Sequence, residues 1–201
     1  MLPMSRSAGP GTREKTYHHG QLREALLNAA HEILDAQGAA ALSLREIARH
    51  AGVSHAAPYH HFPDKQHLLQ AVAERCLVQF NEAQEAAASG QPTAAQAILA
   101  IGEAYVAYAA ARPHAFQLIF DPAICTPGQP SPLTPIIEHS HDQRRALVTR
   151  AIQEGSLPDR PVPDLTDALW ATVHGLADLV ILGHLPASRA PALLAALLPR
   201  P

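Results

Sequence analysis

Between residues 43 and 65 the sequence SLREIARHAGVSHAAPYHHFPDK gathers hydroxyl, imidazole, phenol and ammonium groups on what reads as two short helices joined by a tight turn. Ser43 is placed to cap a helix that starts at Leu44, and Glu46, three residues on, to bond back to the cap's own amide, a capping-box signature. Leu44, Ile47, Ala48 and Ala51 recur at helical spacing, so one face is apolar and Arg45 and Arg49 point away from it. Gly52 stops that helix, Val53 follows as a buried pin, and Ser54 caps a second helix carrying His55, Ala56, Ala57, Pro58, Tyr59, His60 and His61. Such a pair is a helix-turn-helix pattern. Its chemistry is recognition of duplex DNA: the first helix crosses the backbone, and the second sets its N-terminal residues against base edges in the major groove. The free amides and positive dipole ends of capped helices favour phosphate, and Tyr59, His60 and Lys65 add donors near the same surface. Ser43, Arg45, Ser54, His55, Ala56, Tyr59, His60 and Lys65 are therefore the expected DNA-contacting residues, with Tyr59 and Lys65 on phosphate and His55 and Ala56 at base edges. His61 and Phe62 are expected to close the pair against the next helix.

Thirteen histidines raise the question of a metal. The adjacent pairs His18-His19 and His60-His61 cannot share one helix face, and His139 and His141, two apart, point to different sides. No Cys, Asp or Glu completes a set at ligand spacing, so neither a metal site nor a cofactor is expected. His174 and Asp178, four apart on one helix face, are expected to form a buried hydrogen-bonded pair. No nucleophile–base motif such as GxSxG or HExxH is present, so the chain is not read as an enzyme. The rival is a histidine-rich metal-binding or hydrolytic protein, which would carry stoichiometric zinc or iron when purified without a tag. Cys76 and Cys125 stand alone without CxxC or CxxH spacing, which gives neither a disulfide framework nor a zinc finger and fits a reducing cytoplasm.

The elements that must position these groups are helices. Ala and Leu dominate, β-branched runs are nearly absent, and 201 residues suffice for one domain of ordinary size plus a small one. Residues 1–16 lack periodicity and read as a disordered arm from which Arg6, Arg13 and Lys15 could touch phosphate. Leu22, Leu26, Ala29, Ile33 and Leu34 mark an amphipathic helix that ends at Gly38 and packs on the helix-turn-helix, which completes a domain over residues 17–66. Asp64 caps a long helix over residues 65–88, buried through Leu68, Leu69, Val72, Cys76 and Phe80. Its Lys65 end faces DNA and its far end enters a second domain, residues 67–201, so it is the mechanical link.

In that second domain Thr93 caps a helix that Pro113 ends, and a short helix follows over 114–120. The prolines from Pro122 to Pro132 mark a loop, either covering a pocket or mobile. A helix over 133–155 has Arg144, Arg145 and Arg150 on its wetter side. The next begins at Asp164 or Thr166, is apolar nearly all round and reaches about Leu182, and a last short helix carries Leu193, Leu194, Leu197 and Leu198. More apolar surface than one subunit can cover, with Gly175 and Gly183 allowing close approach, points to a homodimer. No apolar run approaches membrane-spanning length free of interruption, and no signal core is present, so no membrane partner is expected. The net charge of −3 by itself argues against nucleic acid and disfavours a protein that coats DNA indifferently to sequence. The acidic excess, however, falls after Lys65, which leaves the DNA-facing side free to be locally positive and its affinity modest and salt-sensitive.

Residues 17–80 resemble the DNA-binding domain of the tetracycline-repressor (TetR) family. The likeness is carried by HGQLREALLNAAHEILDAQG, LSLREIARHAGVS and YHHFPDKQHLL in the expected order and spacing. After Ser54 many members have Gly-Thr and an aliphatic residue before the Tyr, where this chain has Ala56, Ala57 and Pro58; Ala-Ala-Pro-Tyr versions occur in a branch of the family. Pro58 falls about four residues inside the expected recognition helix, where it removes a backbone donor. Trp170 with His174-Gly175 is similar to the Trp…His-Gly signature of one group of TetR ligand-binding domains. The resemblance implies an all-α fold, with an N-terminal three-helix DNA-binding domain and a C-terminal helical domain that binds ligands and dimerises through its last two long helices. It further implies a repressor, bound as a homodimer to a palindromic double-stranded DNA operator and released by a small-molecule effector. Tyr105, Tyr108, Phe116, Phe120, Trp170 and His174 are the aromatic and polar residues available to line the effector pocket.

Overall fold

A computed structural model describes residues 19–124 and 129–197, with side chains from residue 21 on. The expected N-terminal arm, His18, Cys125, Pro127, Gly128 and Leu198 lie outside the described residues. Among the described residues all regular structure is helical: α1 (His19–Gln37), α2 (Leu44–Ala51), α3 (Lys65–Ala88), α4 (Ala94–Ala111), α5 (Pro113–Ile119), α6 (Thr134–Gln153), α7 (Val162–Ile181) and α8 (Ala190–Ala195), with three short 3-10 turns.

Side-chain oxygens start several of these helices where the sequence places them. Ser43 Oγ accepts the Glu46 amide at 3.1 Å, Asp64 Oδ1 accepts the His67 amide at 2.9 Å, and Thr93 Oγ1 accepts the Gln96 amide at 3.3 Å, each satisfying a first-turn donor that has no partner within its helix. The capping box of α2 is only half made, because the Glu46 carboxylate turns outward and pairs with the Arg49 guanidinium. Gly38 follows α1 with φ 81° and ψ 173°, an extended positive-φ conformation open to glycine, and its amide bonds the Leu34 carbonyl at 2.8 Å.

The second member of the helix-turn-helix differs from expectation. No α-helix opens at Ser54; residues 55 and 56 are a turn, and a 3-10 helix runs Ala57–His60. The cause is Pro58. An α-helix starting after Ser54 would need the residue-58 amide to donate to the Ser54 carbonyl, and proline has none to give. The Ala57 amide takes that carbonyl instead, at 3.0 Å, and the His61 and Phe62 amides both close on the Pro58 carbonyl at 2.9 Å. Ser54 therefore caps nothing with its side chain. Pro58 and Phe62 are the buried pins, and Val53 is only half-buried.

Several helices of the second domain open on a proline. Pro135, Pro163 and Pro191 sit in the opening turns of α6, α7 and α8, where a missing amide costs nothing and the fixed φ is already helical. Hence α7 begins before Asp164, and α8 before Leu193. α4 has 18 residues with mean hydropathy 1.3, the length and apolarity of a membrane span, which the sequence reading did not anticipate. Here it is the central helix of the second domain, with α3, α5, α6, α7 and α8 packed against it. One apolar core runs without a break from Leu26 and Ile33 of α1 through Val72 and Phe80 of α3 and Tyr105 of α4 to Leu194 of α8. A smaller cluster of Ala94, Val148, Ala151 and Leu157 joins the start of α4 to the end of α6.

Candidate nucleic-acid interface and effector chamber

The residues expected at DNA fall on α2, the turn after it and the start of α3. Arg45, Ser54, His55, Ala56, Tyr59, His60 and Lys65 are all exposed, Tyr59 by 53% although it is aromatic. The Ser43 hydroxyl is occupied as the α2 cap. Arg49 is held by Glu46 and His50 by Glu32 at 2.6 Å, whereas no ion pair among the described residues engages Arg45. Lys65 Nζ reaches the Ala40 carbonyl at 3.4 Å, which ties the head of α3 to the turn before α2. Phe62 is buried as expected, beneath the Arg23 guanidinium at 5.8 Å.

A polar junction fastens this module to the second domain. Arg112, at the α4–α5 corner, donates to both carboxylate oxygens of Asp35 on α1 at 3.0–3.2 Å, to Gln79 Oε1 on α3, and to His31 Nδ1 at 3.2 Å. A guanidinium can only donate, so His31 Nδ1 accepts and the ring is neutral, with its proton on Nε2. That Nε2 is buried without a partner. Burial, aided by the positive Arg112 and Arg75, lowers the His31 pKa from 6.5 to about 4. Alongside, Tyr108 donates to the Cys76 carbonyl at 3.1 Å, and burial pushes the Cys76 thiol up to about 12, so it is no nucleophile.

Behind the junction Phe80, Tyr105, Tyr108, Phe116, Phe120 and His174 form a mutually packed cluster with ring centroids 4.7–6.4 Å apart. The Tyr105 hydroxyl and His174 Nδ1 are 2.7 Å apart. His174 therefore finds its buried partner on α4. Asp178, expected to be that partner, is exposed and 3.8 Å away, because its position on α7 turns toward solvent.

A chamber opens beside this cluster between α3, α4, α6, α7 and α8. Its cavity volume is about 70 Å³, and its walls are mostly apolar, with Ile98, Leu99, Gly102, Leu169, Val173 and Leu194 among them. Of the six residues proposed to line a pocket, Tyr105 and Trp170 do; Tyr108, Phe116, Phe120 and His174 belong to the cluster behind the wall. An adjoining, more polar cleft of about 410 Å³ is lined by Asn81, Glu85, Ser140, Gln143 and Arg150. Gln84, Ile101, Arg144 and Leu147 line both.

Arg144 stands elsewhere than its expected place. It was expected on the wetter side of α6 beside Arg145 and Arg150, yet it turns inward while those two stay exposed. Spacing carried the signal: Ile137, Ser140, Arg144, Val148 and Ala151 recur every three or four residues, which puts Arg144 in the middle of the buried stripe. Other polar groups on the chamber wall are satisfied locally, Gln84 Nε2 by the Phe80 carbonyl at 3.0 Å and Thr166 Oγ1 by the Val162 carbonyl at 2.8 Å. Arg144 Nε is buried with no partner, and burial lowers the guanidinium pKa.

Among the described residues no three His, Cys, Asp or Glu side chains come together to hold a metal ion. Residues 26–72 match the family model for bacterial regulatory proteins of the tetR family, and residues 98–199 match the model for the tetracyclin repressor-like C-terminal domain. No curated protein is a detectable relative. A protein of unknown function from Rhodococcus sp. RHA1 is 34% identical, with 92% of this chain and 96% of that one covered at a TM-score of 0.79. A TetR family regulator from Marinobacter aquaeolei VT8 is 19% identical over 88% and 95%, TM-score 0.64. The regulator FadR from Bacillus subtilis, in complex with stearoyl-CoA, is 17% identical over 87% and 97%, TM-score 0.68. With an exposed two-part DNA-reading module fused through α3 to a helical second domain, and with both family models matched in order along it, the chain belongs to the TetR family of DNA-binding transcriptional regulators.

Proposed function

We propose that the protein is a homodimeric, non-catalytic repressor that leaves an approximately palindromic operator when a small molecule occupies the second domain. The observation that carries this is the reach of α3. Its first residue, Lys65, lies at the DNA-facing module, and Gln84 near its other end lines both the chamber and the cleft. Twenty-four residues at about 1.5 Å each span roughly 36 Å, so a small change of tilt at Gln84 becomes a displacement at Lys65. Two such modules must match two half-sites in successive major grooves, and an effector that binds better to a differently spaced dimer lowers operator affinity. The stearoyl-CoA held by the Bacillus subtilis regulator supports a ligand-binding role for this kind of second domain.

The homodimer reading is supported by α7. Its outward stripe, Ala168, Ala171, Gly175, Leu179 and Leu182, is exposed, with Leu182 at 67% and open space over Gly175. A stripe of small and apolar residues lets an equivalent helix approach closely. In the DNA-bound dimer Tyr59 and Lys65 contact phosphate, His55 and Ala56 face base edges from the turn before the 3-10 helix, and Ser43, Arg45, Ser54 and His60 complete the contact surface.

The test is selection of bound duplexes from a random library at near-physiological salt, followed by binding of the selected site by Tyr59→Ala and Lys65→Ala. A palindromic consensus weakened by both changes is expected. An asymmetric consensus would count against the dimer, and equal binding to all duplexes against sequence recognition. The rival metal-binding reading would be revived by stoichiometric zinc or iron in protein made without a tag.

A further inference from the structure

We infer that the effector is an amphipathic carboxylate, with its acid group held by Arg144 and its apolar part in the chamber. The inference rests on the second domain being the effector site. Two features meet at one point. The chamber wall is mostly apolar; Gln84 and Thr166 bond their own helix backbones and the Tyr105 hydroxyl bonds His174, so apart from Arg144 it has affinity for hydrocarbon. At its junction with the polar cleft stands Arg144, a permanently charged fork whose Nε is buried and unpartnered.

The neighbouring charges make the assignment specific to a single negative charge. Arg150, further along α6 on the cleft wall, donates to Glu154 at 2.6 Å and is already neutralised. Glu85 is the other charged residue on the cleft wall, so among the described residues no second free cation lines the cleft to meet a dianion. None of the ion pairs among the described residues includes Arg144. A guanidinium taken out of water without a counter-charge is costly, and a carboxylate matches its planar fork through two parallel hydrogen bonds. An apolar tail alone would leave Arg144 unpaired, and a cationic head would be repelled by it.

Binding of decanoate, decanol and decylamine to the full-length protein, by calorimetry below their aggregation limits, tests this directly. Decanoate is expected to bind at least about tenfold more tightly than decanol, and decylamine not to bind. In Arg144→Leu the preference for decanoate over decanol should vanish while decanol binding persists, and Arg144→Lys should keep part of it. Arg144→Leu should also raise the melting temperature of the ligand-free protein, which shows that the variant is folded and that the wild-type guanidinium lacks a partner. Equal binding of decanoate and decanol would overturn the inference while leaving the chamber as an effector site. Unchanged selectivity in Arg144→Leu would overturn it as well. Binding of neither probe would remove the amphipathic carboxylate, and the regulator reading would still be judged on operator selection alone.

Discussion

Acid should loosen the joint between the DNA-reading module and the second domain, and His31 sets where. In the folded protein its pKa lies at about 4, chiefly because the ring is buried and secondarily because Arg112 and Arg75 face it. In the unfolded chain it returns to about 6.5. Above that value neither state carries the proton and the neutral ring accepts from Arg112 at no penalty. As pH falls from about 6.5 to about 4 the unfolded chain takes up a proton that the folded one refuses, so stability is lost across that window and no further below it. At about 1.4 kcal/mol per pH unit, going from about pH 7.5 to about pH 5 removes roughly 2 kcal/mol, and residual solvent contact of the half-buried ring reduces this to about 1 kcal/mol. The assay is urea unfolding at both pH values and one protein concentration, for wild type and His31→Gln. Glutamine keeps an acceptor for Arg112 and cannot titrate, so the wild type should lose about 1 kcal/mol more than the variant. Parallel losses in the two proteins, or a His31 ring that titrates at its ordinary value by NMR, would refute the reasoning.

Ser43→Ala should cost about 1 kcal/mol, because only the Ser43 hydroxyl satisfies the Glu46 amide and the reciprocal half of the box is unmade; denaturant titration reads this directly. Arg112→Ala removes the bond to Asp35, Gln79 and His31 at once and should destabilise by roughly 2 kcal/mol. A double-mutant cycle with Asp35→Ala should show coupling, and strict additivity would mean the pair is merely adjacent. Leu182→Glu places a charge on the exposed α7 stripe and, if the proposed dimer forms through that stripe, should give a monomer by light scattering, with helical content unchanged. A dimer that survives this substitution would place the interface elsewhere.

Under the proposed effector mechanism, the polar junction offers a physical route to the DNA-reading module other than α3 alone. His114 Nδ1 bonds the Leu34 carbonyl at 3.0 Å, and the Arg112 cluster grips α1 and α3 together. Any ligand that shifts α4, which supplies Ile98, Leu99, Ile101, Gly102 and Tyr105 to the chamber wall, therefore also moves the corner that holds α1. The DNA-reading module and the chamber are thus joined by two elements that share one continuous core.

By itself the sequence determined the helices, three of their caps and the position of the DNA-reading module, because those depend on contacts within a few residues. Ser43, Asp64 and Thr93 each bond an amide three positions along, and the apolar spacing of α1 and α3 follows from the 3.6-residue turn. Even the loss of the second α-helix was local, since Pro58 withholds one amide. Tertiary structure decided the rest. Whether a proline breaks a helix or opens one depends on where the preceding chain arrives, as Pro135, Pro163 and Pro191 show. Aromatic residues that all looked able to line a pocket were divided between wall and core only when α3, α4, α5 and α7 packed together. His174 found Tyr105, sixty-nine positions away, in place of Asp178 on its own helix. Arg144 lay in a buried stripe that spacing revealed, but only the packing of α6 on α4 and α7 left its charge facing a cavity without a partner. Side-chain periodicity says which residues share a face, and long-range packing decides what that face meets.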